Sequence, residues 1–381
     1  MEKIESNISR VGGYTGKRMA KDKLFKHLMT FGGLSVIIAI SVIFFYLASV
    51  VVPIFMPAKM DAMKTFPLAA VAQGNSVHLT TEEQAEIGVR MSDRGVVAFF
   101  NLRDGKPMAE EKISLPQGVE PVSFAAGDLN QKTVGYGLSD GRMLLLQQKF
   151  DVSFAPDPNN PDRDIRTIKP GIDYPLGTEP LVVDTEGHAI KRLAIQHVES
   201  ETTAAALTDD GRLLLVSYAS ISNMLTGEVS TERTGVELPP VPGGEVSQLL
   251  LDVKQRDLYV LHGGRFATHY DVMNKASPRL VQTVALVPKG ETVTAATMLS
   301  GGFSLIVGTS QGNLAQWFQV RDKTNNNHLT HIRSFKPMQG SITTIAPEFF
   351  RKGFLAGDDK GDIGLYYATS KRLLFDHSTG N

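Results

Sequence analysis

An uncharged apolar run near the N-terminus constrains this chain more than any other feature. It extends from Phe31 to Phe55, twenty-five residues without Asp, Glu, Lys or Arg. As a helix it would be about 37 Å long, enough to cross a hydrocarbon core of about 30 Å. Apolar side chains fall on all of its faces, so no polar stripe can turn toward water. The run therefore predicts one transmembrane helix over residues 29–56.

The residues before this run have a positive charge bias. Residues 1–28 contain seven Lys and Arg residues against three acidic ones. By the positive-inside rule this basic tail stays in the cytoplasm and residues 57–381 are exported. A cleaved signal peptide has the same polarity, but its apolar core is usually about 7–15 residues long and a small-residue cleavage site follows. We interpret the run as an uncleaved anchor, with a removed signal as the alternative.

Composition limits what the exported part can do. The whole chain has a net charge of −1 and the tail contributes +4, so the remainder has a net charge of −5. A mildly acidic domain without a basic stripe predicts no nucleic-acid partner. Cysteine is absent, which excludes thiolate metal sites, cysteine nucleophiles and disulfides. The domain must be stabilised by a packed core.

The exported part repeats one pattern: a short apolar strand, a turn that ends in glycine, and a second apolar strand. Successive turn glycines are separated by 46 to 70 residues. Turns of this kind need residues with positive φ, which glycine adopts without steric cost. The glycines are Gly95, Gly141, Gly211, Gly264, Gly312 and Gly361.

The pattern predicts a mainly β domain with a β-propeller-like, WD-repeat-like fold of about six or seven blades. Its period is close to the 40–50 residues of a four-stranded blade. Another apolar strand precedes most of the hairpins, for example Val246–Leu251, and we expect it to be the innermost strand of its blade. A β-sandwich is the alternative, although sandwiches space their turns 8–12 residues apart without a longer period. The widest gap contains Asp157–Asp164, rich in Pro and Asn, which predicts a surface loop.

Four motifs of the chain are similar to functional sites. In Gly12–Lys17, three residues separate Gly12 from Gly16, whereas a phosphate-binding loop has four residues between these glycines. We therefore expect a flexible tail. His328 and His331 lie in a polar stretch that predicts a solvated loop, and Gly357–Asp362 lacks the alternation of a calcium loop. Trp317 lies in a blade strand, which favours a core role. The sequence therefore predicts no catalytic, metal-binding or cofactor-binding residue, and a protein that is not an enzyme.

The order of segments resembles a known transporter subunit. A basic tail precedes a span with the sequences Phe44-Phe-Tyr-Leu-Ala48 and Val50-Val-Val-Pro-Ile-Phe55, and an exported propeller follows. This arrangement resembles the N-terminal half of the long-form permease of the phosphate ABC transporter, the PstC type. The resemblance implies a bacterial inner-membrane location. It also implies three partners: a second permease subunit, an ATPase subunit and a phosphate-binding protein.

The sequence departs from that family in one respect. No further apolar run long enough to span a bilayer follows Phe55, so we interpret the chain as a fragment that stops before the permease helices. No phosphate-contacting residue can be assigned by the resemblance. Two functions remain open. One is an accessory periplasmic region of the phosphate importer that acts by protein–protein contact, and the other is a stand-alone, membrane-anchored propeller scaffold in cell-envelope assembly.

Overall fold

The chain divides into two compact units, Met1–Lys59 and Met60–Asn381. The fold is known from a computed structural model that describes residues 2–55, 66, 68, 74–157, 160–222, 229–323, 327–349 and 352–378.

The first unit contains helix α1, Glu2–Phe55, which begins much earlier than the predicted span. It is the one helix of the described residues that is long and apolar enough to cross a membrane, over Arg18–Val52. Hydroxyl groups in this stretch donate to backbone carbonyls of the preceding turn; the Ser41 and Ser49 bonds are 2.9 and 2.7 Å long. Such bonds satisfy polar groups where water is absent. The length and apolarity suit both a membrane anchor and a signal sequence.

The second unit is a β-propeller, as predicted from the spacing of the turns. Its described residues form six sheets of sequentially adjacent antiparallel strands, one of them with an added short strand. Blade 1 consists of β1 Ser76–Thr81, β2 Ile87–Ser92, β3 Val96–Asn101 and β4 Pro107–Lys112. Blade 2 consists of β5 Pro121–Ala126, β6 Thr133–Leu138, β7 Arg142–Asp157, β8 Asn160–Asp173 and the short β9 Leu181–Val182. Blade 3 consists of β10 Ile190–Val198, β11 Glu201–Thr208, β12 Leu213–Ser222 and β13 Val229–Glu237.

The remaining blades follow the same plan. Blade 4 consists of β14 Val246–Leu251, β15 Asp257–His262, β16 Phe266–Asp271 and β17 Arg279–Ala285. Blade 5 consists of β18 Val293–Met298, β19 Ser304–Thr309, β20 Leu314–Arg321 and β21 Asn327–Ser334. Blade 6 consists of β22 Ile342–Pro347, β23 Gly353–Asp358, β24 Asp362–Tyr367 and β25 Arg372–Ser378. We call the end of each blade that carries the turn between its second and third strands the glycine-turn end.

Apolar side chains hold consecutive blades together. Five hydrophobic clusters join blades 1 and 2, 2 and 3, 3 and 4, 4 and 5, and 5 and 6. Within the described residues no cluster joins blade 6 to blade 1. Buried tyrosines also tie blades to the segment before them: Tyr270 donates to the Pro239 carbonyl at 2.6 Å and Tyr366 to the Lys336 carbonyl at 2.9 Å. Burial raises the pKa of both hydroxyls to about 12, so they remain donors at neutral pH.

Glycines allow the closest approach between neighbouring blades. A Cβ atom added to Gly137 would lie 2.7 Å from the Ile190 side chain, and one added to Gly308 would lie 2.5 Å from Ile342. Both glycines are the penultimate residues of a second strand, and both isoleucines begin the first strand of the next blade. We call this arrangement a glycine socket: a β-branched side chain of one blade fills the space that glycine leaves in the blade before it.

The prediction of a surface loop at Asp157–Asp164 is wrong. The described residues there belong to strands β7 and β8, which form a long hairpin with Val152 opposite Ile168 and Ala155 opposite Ile165. Apolar side chains such as Phe150 and Ile168 pack against blade 1 and support the base of this hairpin. Pro156 is tolerated because only one edge of β7 is paired there. The surface position is correct, since most side chains toward the tip are exposed.

Candidate functional site

Four of the six turns between the second and third strands share one hydrogen-bonded design. In four blades the side-chain oxygen of the first turn residue accepts the backbone N–H four residues later; the distance is 3.1 Å for Ser92 and 2.9 Å for Asp358. All six predicted turn glycines have positive φ, which confirms their placement. Blade 4 departs from the plan, because Arg265 rather than a glycine donates its N–H to the first turn residue, His262.

A charged cluster lies where blade 2 leads into blade 3. The Arg212 guanidinium donates to Asp184 at 2.9 Å and to Asp210 at 2.7 Å, and it lies 3.2 Å from Glu186. His188 Nδ1 lies 3.0 Å from Asp184. Glu186, His188 and Asp210 are close enough together to resemble a metal ligand set. Arg212 already supplies the positive charge that a cation would bring, so we interpret the cluster as a structural ion-pair network.

Hydrogen bonds keep two carboxylates of this cluster, Asp184 and Asp210, ionised. Burial of Asp184 opposes ionisation, but the N–H groups of His188 and Glu186 and the Arg212 guanidinium hold its pKa below its usual value. The Thr208 hydroxyl and Arg212 hold the pKa of Asp210 far below the usual range. These carboxylates therefore stay charged and paired rather than serving as proton donors.

Two of the four sequence motifs lie in regular secondary structure that the sequence did not predict for them. Residues 12–17 continue helix α1 instead of forming a flexible tail, and most of their side chains are outside the described part of the chain. The prediction of a loop at His328 and His331 is wrong: both lie in β21, where a three-residue spacing directs them to opposite faces. Trp317 packs in the core between blades 4 and 5, as predicted.

The fourth motif, Gly357–Asp362, forms a turn rather than an ion site. Asp358 accepts the N–H groups of Lys360 and Asp362 through one oxygen, at 3.0 and 2.9 Å, and that of Gly340 through the other, at 2.8 Å. Both oxygens of this buried carboxylate are therefore occupied by backbone donors. The hydrogen bonds tie the turn to the segment that enters blade 6.

A buried polar group between blades 4 and 5 could not be found from sequence. His269 is 2% exposed in its side chain and bonds Asp257 at 2.7 Å through Nε2. Its ring stacks on Tyr259 with centroids 4.9 Å apart, and the Gln319 amide contacts both. These residues are 62 positions apart at most and lie on two blades, so their proximity depends on the assembled ring. The Gln319 contacts with Tyr259 and His269 therefore join blade 5 to blade 4.

Blade 6 exposes an apolar sheet face. Ala346, Leu355, Leu365 and Phe375 lie directly opposite one another across its four strands. We call these four residues the blade-6 row. The row lies on the face away from blade 5, since the alternating residues Phe354 and Tyr366 fill the cluster with blade 5. Leu355 is 40% exposed, whereas the corresponding Ile306 of blade 5 is fully buried.

The blade-6 face also contains a buried glycine, Gly357, at the socket position, and no described residue of another blade fills it. Gly357 is the penultimate residue of β23, the position that Gly137 and Gly308 occupy in blades 2 and 5. A Cβ atom on Gly357 would meet Thr344 of its own blade at 3.1 Å, and its other near neighbour, at 3.9 Å, is also from blade 6. Blade 1, which would follow in a closed ring, begins with the polar and exposed Ser76 instead of Ile or Val.

Comparison with known proteins supports the fold and assigns no family. No family model and no curated protein matches the chain. Among solved structures, the chain is similar to the β-propeller domain of Cps50 (Swd1) from Myceliophteria thermophila. The TM-score is 0.50 at 10% identity, over 81% of this chain and 88% of that one. It is also similar to Raptor from Chaetomium thermophilum, with a TM-score of 0.52 at 12% identity over 82% of this chain and 25% of that one. The second unit is thus a β-propeller.

Proposed function

We propose that this chain is the accessory, membrane-anchored region of a phosphate ABC importer permease subunit, and that it acts through protein–protein contact. The observation that carries the contact role is the blade-6 face, where Leu355 of the apolar row is 40% exposed and no described residue of another blade lies within 4 Å of a Cβ added to Gly357. An apolar surface of this kind is typical of an interaction site. The link to phosphate import is supported by the resemblance of Phe44–Phe55 and of the segment order to the PstC-type permease.

The proposed partner is the transport assembly itself: a second permease subunit, the ATPase subunit and the phosphate-binding protein. The contact at blade 6 requires an extended segment with a β-branched apolar side chain, because that shape fills the sockets at Gly137 and Gly308. We place the N-terminus in the cytoplasm and the propeller in the periplasm of the bacterial inner membrane, on the basis of the charge bias before the span. In this function the chain performs no chemical step.

The test compares phosphate uptake by cells that carry the full-length permease with and without residues 58–381. Deletion should lower uptake without abolishing the pore, and the intact form should retain the phosphate-binding protein or a permease partner in a pull-down. Leu355→Asp places a charge in the blade-6 row and should reproduce the deletion. Leu280→Asp is the matched control, since Leu280 is 44% exposed on β17 of blade 4.

The two functions left open by the sequence give different results. Unchanged uptake together with no retained transport partner would reject the accessory role. A reduction by Leu280→Asp as large as that by Leu355→Asp would show that the blade-6 row is not the contact surface. Loss of envelope integrity with normal phosphate uptake would instead favour the scaffold in cell-envelope assembly.

A further inference from the structure

We propose that the basic segment of helix α1 before the span binds the phosphate groups of anionic phospholipids. The segment contains four basic residues that we call the basic collar: Arg18, Lys21, Lys23 and Lys26. All four side chains are exposed, and none forms an ion pair within the described residues. Asp22 is the one acidic residue between Arg18 and Lys26, so four positive charges minus one leave +3. The inference rests on α1 as a membrane anchor and does not depend on phosphate import.

Helix α1 holds the basic collar at a fixed distance from the span. Because the helix is continuous from Glu2 to Phe55, its rise of about 1.5 Å per residue places Lys26 about 8 Å from Phe31, where the uncharged run begins. The headgroup layer on each side of the hydrocarbon core is about 5–8 Å thick. Lys26 therefore lies at the headgroups. Lys23 and Lys21 follow within about 8 Å of it, the Debye length at physiological salt.

The basic collar surrounds much of the helix instead of forming one stripe. At about 100° per residue its four side chains cover roughly 200° of the circumference. Apolar side chains lie between them, and Met19, Leu24 and Phe25 are 61% to 68% exposed. A helix that lies flat on a membrane or binds one protein groove separates its apolar and charged faces. A helix that stands across the headgroup layer meets lipid phosphates on every side, so this distribution favours lipid.

The residues around Lys26 suit the boundary between lipid headgroups and acyl chains. Phe25 and Met29 lie next to it and are 68% and 73% exposed, so apolar side chains and a charged one share this level of the helix. A lysine at such a boundary extends its ammonium group to the headgroups and leaves its aliphatic stem among apolar groups. There the ammonium group donates to phosphate oxygens through three N–H groups.

Net charge decides which phospholipid the basic collar selects. Phosphatidylcholine carries a cation beside its phosphate, whereas phosphatidylglycerol carries the phosphate charge alone. Each Lys or Arg near an anionic membrane surface strengthens binding by a factor of about 5. A lipid that contacts one collar residue should therefore be about 5-fold enriched next to α1 when it is anionic, and the enrichment should weaken as salt screens the charges.

The experiment uses the absence of cysteine from the chain. Met29→Cys places a single thiol within one turn of Lys26, and a fluorophore attached there reports the lipids next to the helix. The full chain is reconstituted in phosphatidylcholine nanodiscs that contain a small fraction of spin-labelled lipid, which quenches the fluorophore on contact. Spin-labelled phosphatidylglycerol should quench as if enriched about 5-fold over spin-labelled phosphatidylcholine at the same mole fraction. The ratio should fall toward one as salt is added.

Two variants of the labelled chain test the collar itself. The first removes its charges and should make the two lipids quench equally: Arg18→Gln, Lys21→Gln, Lys23→Gln and Lys26→Gln. The matched control keeps the charges and should keep the preference: Arg18→Lys, Lys21→Arg, Lys23→Arg and Lys26→Arg.

Four results would overturn the proposal. The first is equal quenching by the two lipids at low salt when the collar is intact, including the case in which the collar retains a protein that the glutamine variant loses. The second is a preference for phosphatidylglycerol that persists in the glutamine variant. The third is a preference that does not change with salt. The fourth is no quenching by either lipid, which would place position 29 outside the bilayer.

Discussion

Two turn glycines with the same backbone conformation should respond differently to the same substitution. Gly211 has φ +93° and no atom within 4 Å of an added Cβ, whereas Gly312 has φ +79° and would place its Cβ against backbone. That Cβ would lie 2.7 Å from the Gly340 carbonyl oxygen and closer still to that of Met338. Gly211→Ala therefore costs only the left-handed conformation, about 1–2 kcal/mol. Gly312→Ala adds an overpacking cost of about 1–3 kcal/mol, for a total of about 2–5 kcal/mol.

The assay is equilibrium unfolding of the full chain in micelles, followed by the fluorescence of Trp317. This residue is the only tryptophan of the sequence and is 7% exposed in the core between blades 4 and 5. At roughly 2 °C per kcal/mol for a large domain, Gly211→Ala should lower Tm by about 2–4 °C and Gly312→Ala by about 4–10 °C. An equal effect of the two substitutions would refute the reasoning. It would mean that the segment around Met338 moves away at no cost.

Three further predictions concern packing, pH and topology. Gly308→Ala, which would push against Ile342, should destabilise the propeller by about 1–3 kcal/mol in the same unfolding assay, whereas Gly357→Ala, whose Cβ would meet only the Thr344 side chain at 3.1 Å, should cost less than Gly308→Ala. The hydrogen bonds that lower the pKa of Asp184 contribute stability that is complete above about pH 4 and lost as the pH falls through that lowered pKa. The stability difference between Asp184→Asn and the wild type should therefore shrink from about pH 5 to pH 2 in acid titrations of both proteins. An export-dependent reporter enzyme fused after Asn381 should be active, and cytoplasmic activity of such a fusion would contradict the orientation.

The propeller could be predicted because its signal is local and repeated. A turn such as Ser310-Gln-Gly312 specifies a hairpin through a few adjacent residues, and the flanking apolar strands occur in the expected places. Local reasoning was wrong where a segment combined turn residues with strand residues. Asp157–Asp164 contains Pro and Asn, but its described residues continue strands β7 and β8, whose apolar residues Val152, Phe154 and Ile168 pair in one long hairpin.

The candidate contact surface of blade 6 could not be predicted from sequence, for a physical reason. A glycine socket needs a side chain from the next blade, and Gly137 is 53 residues away from the Ile190 that fills it. The sequence shows Gly357 in the same local setting as Gly308, yet only the assembled blades show that a side chain of the next blade, Ile342, fills the space at Gly308, whereas only residues of its own blade lie close to Gly357.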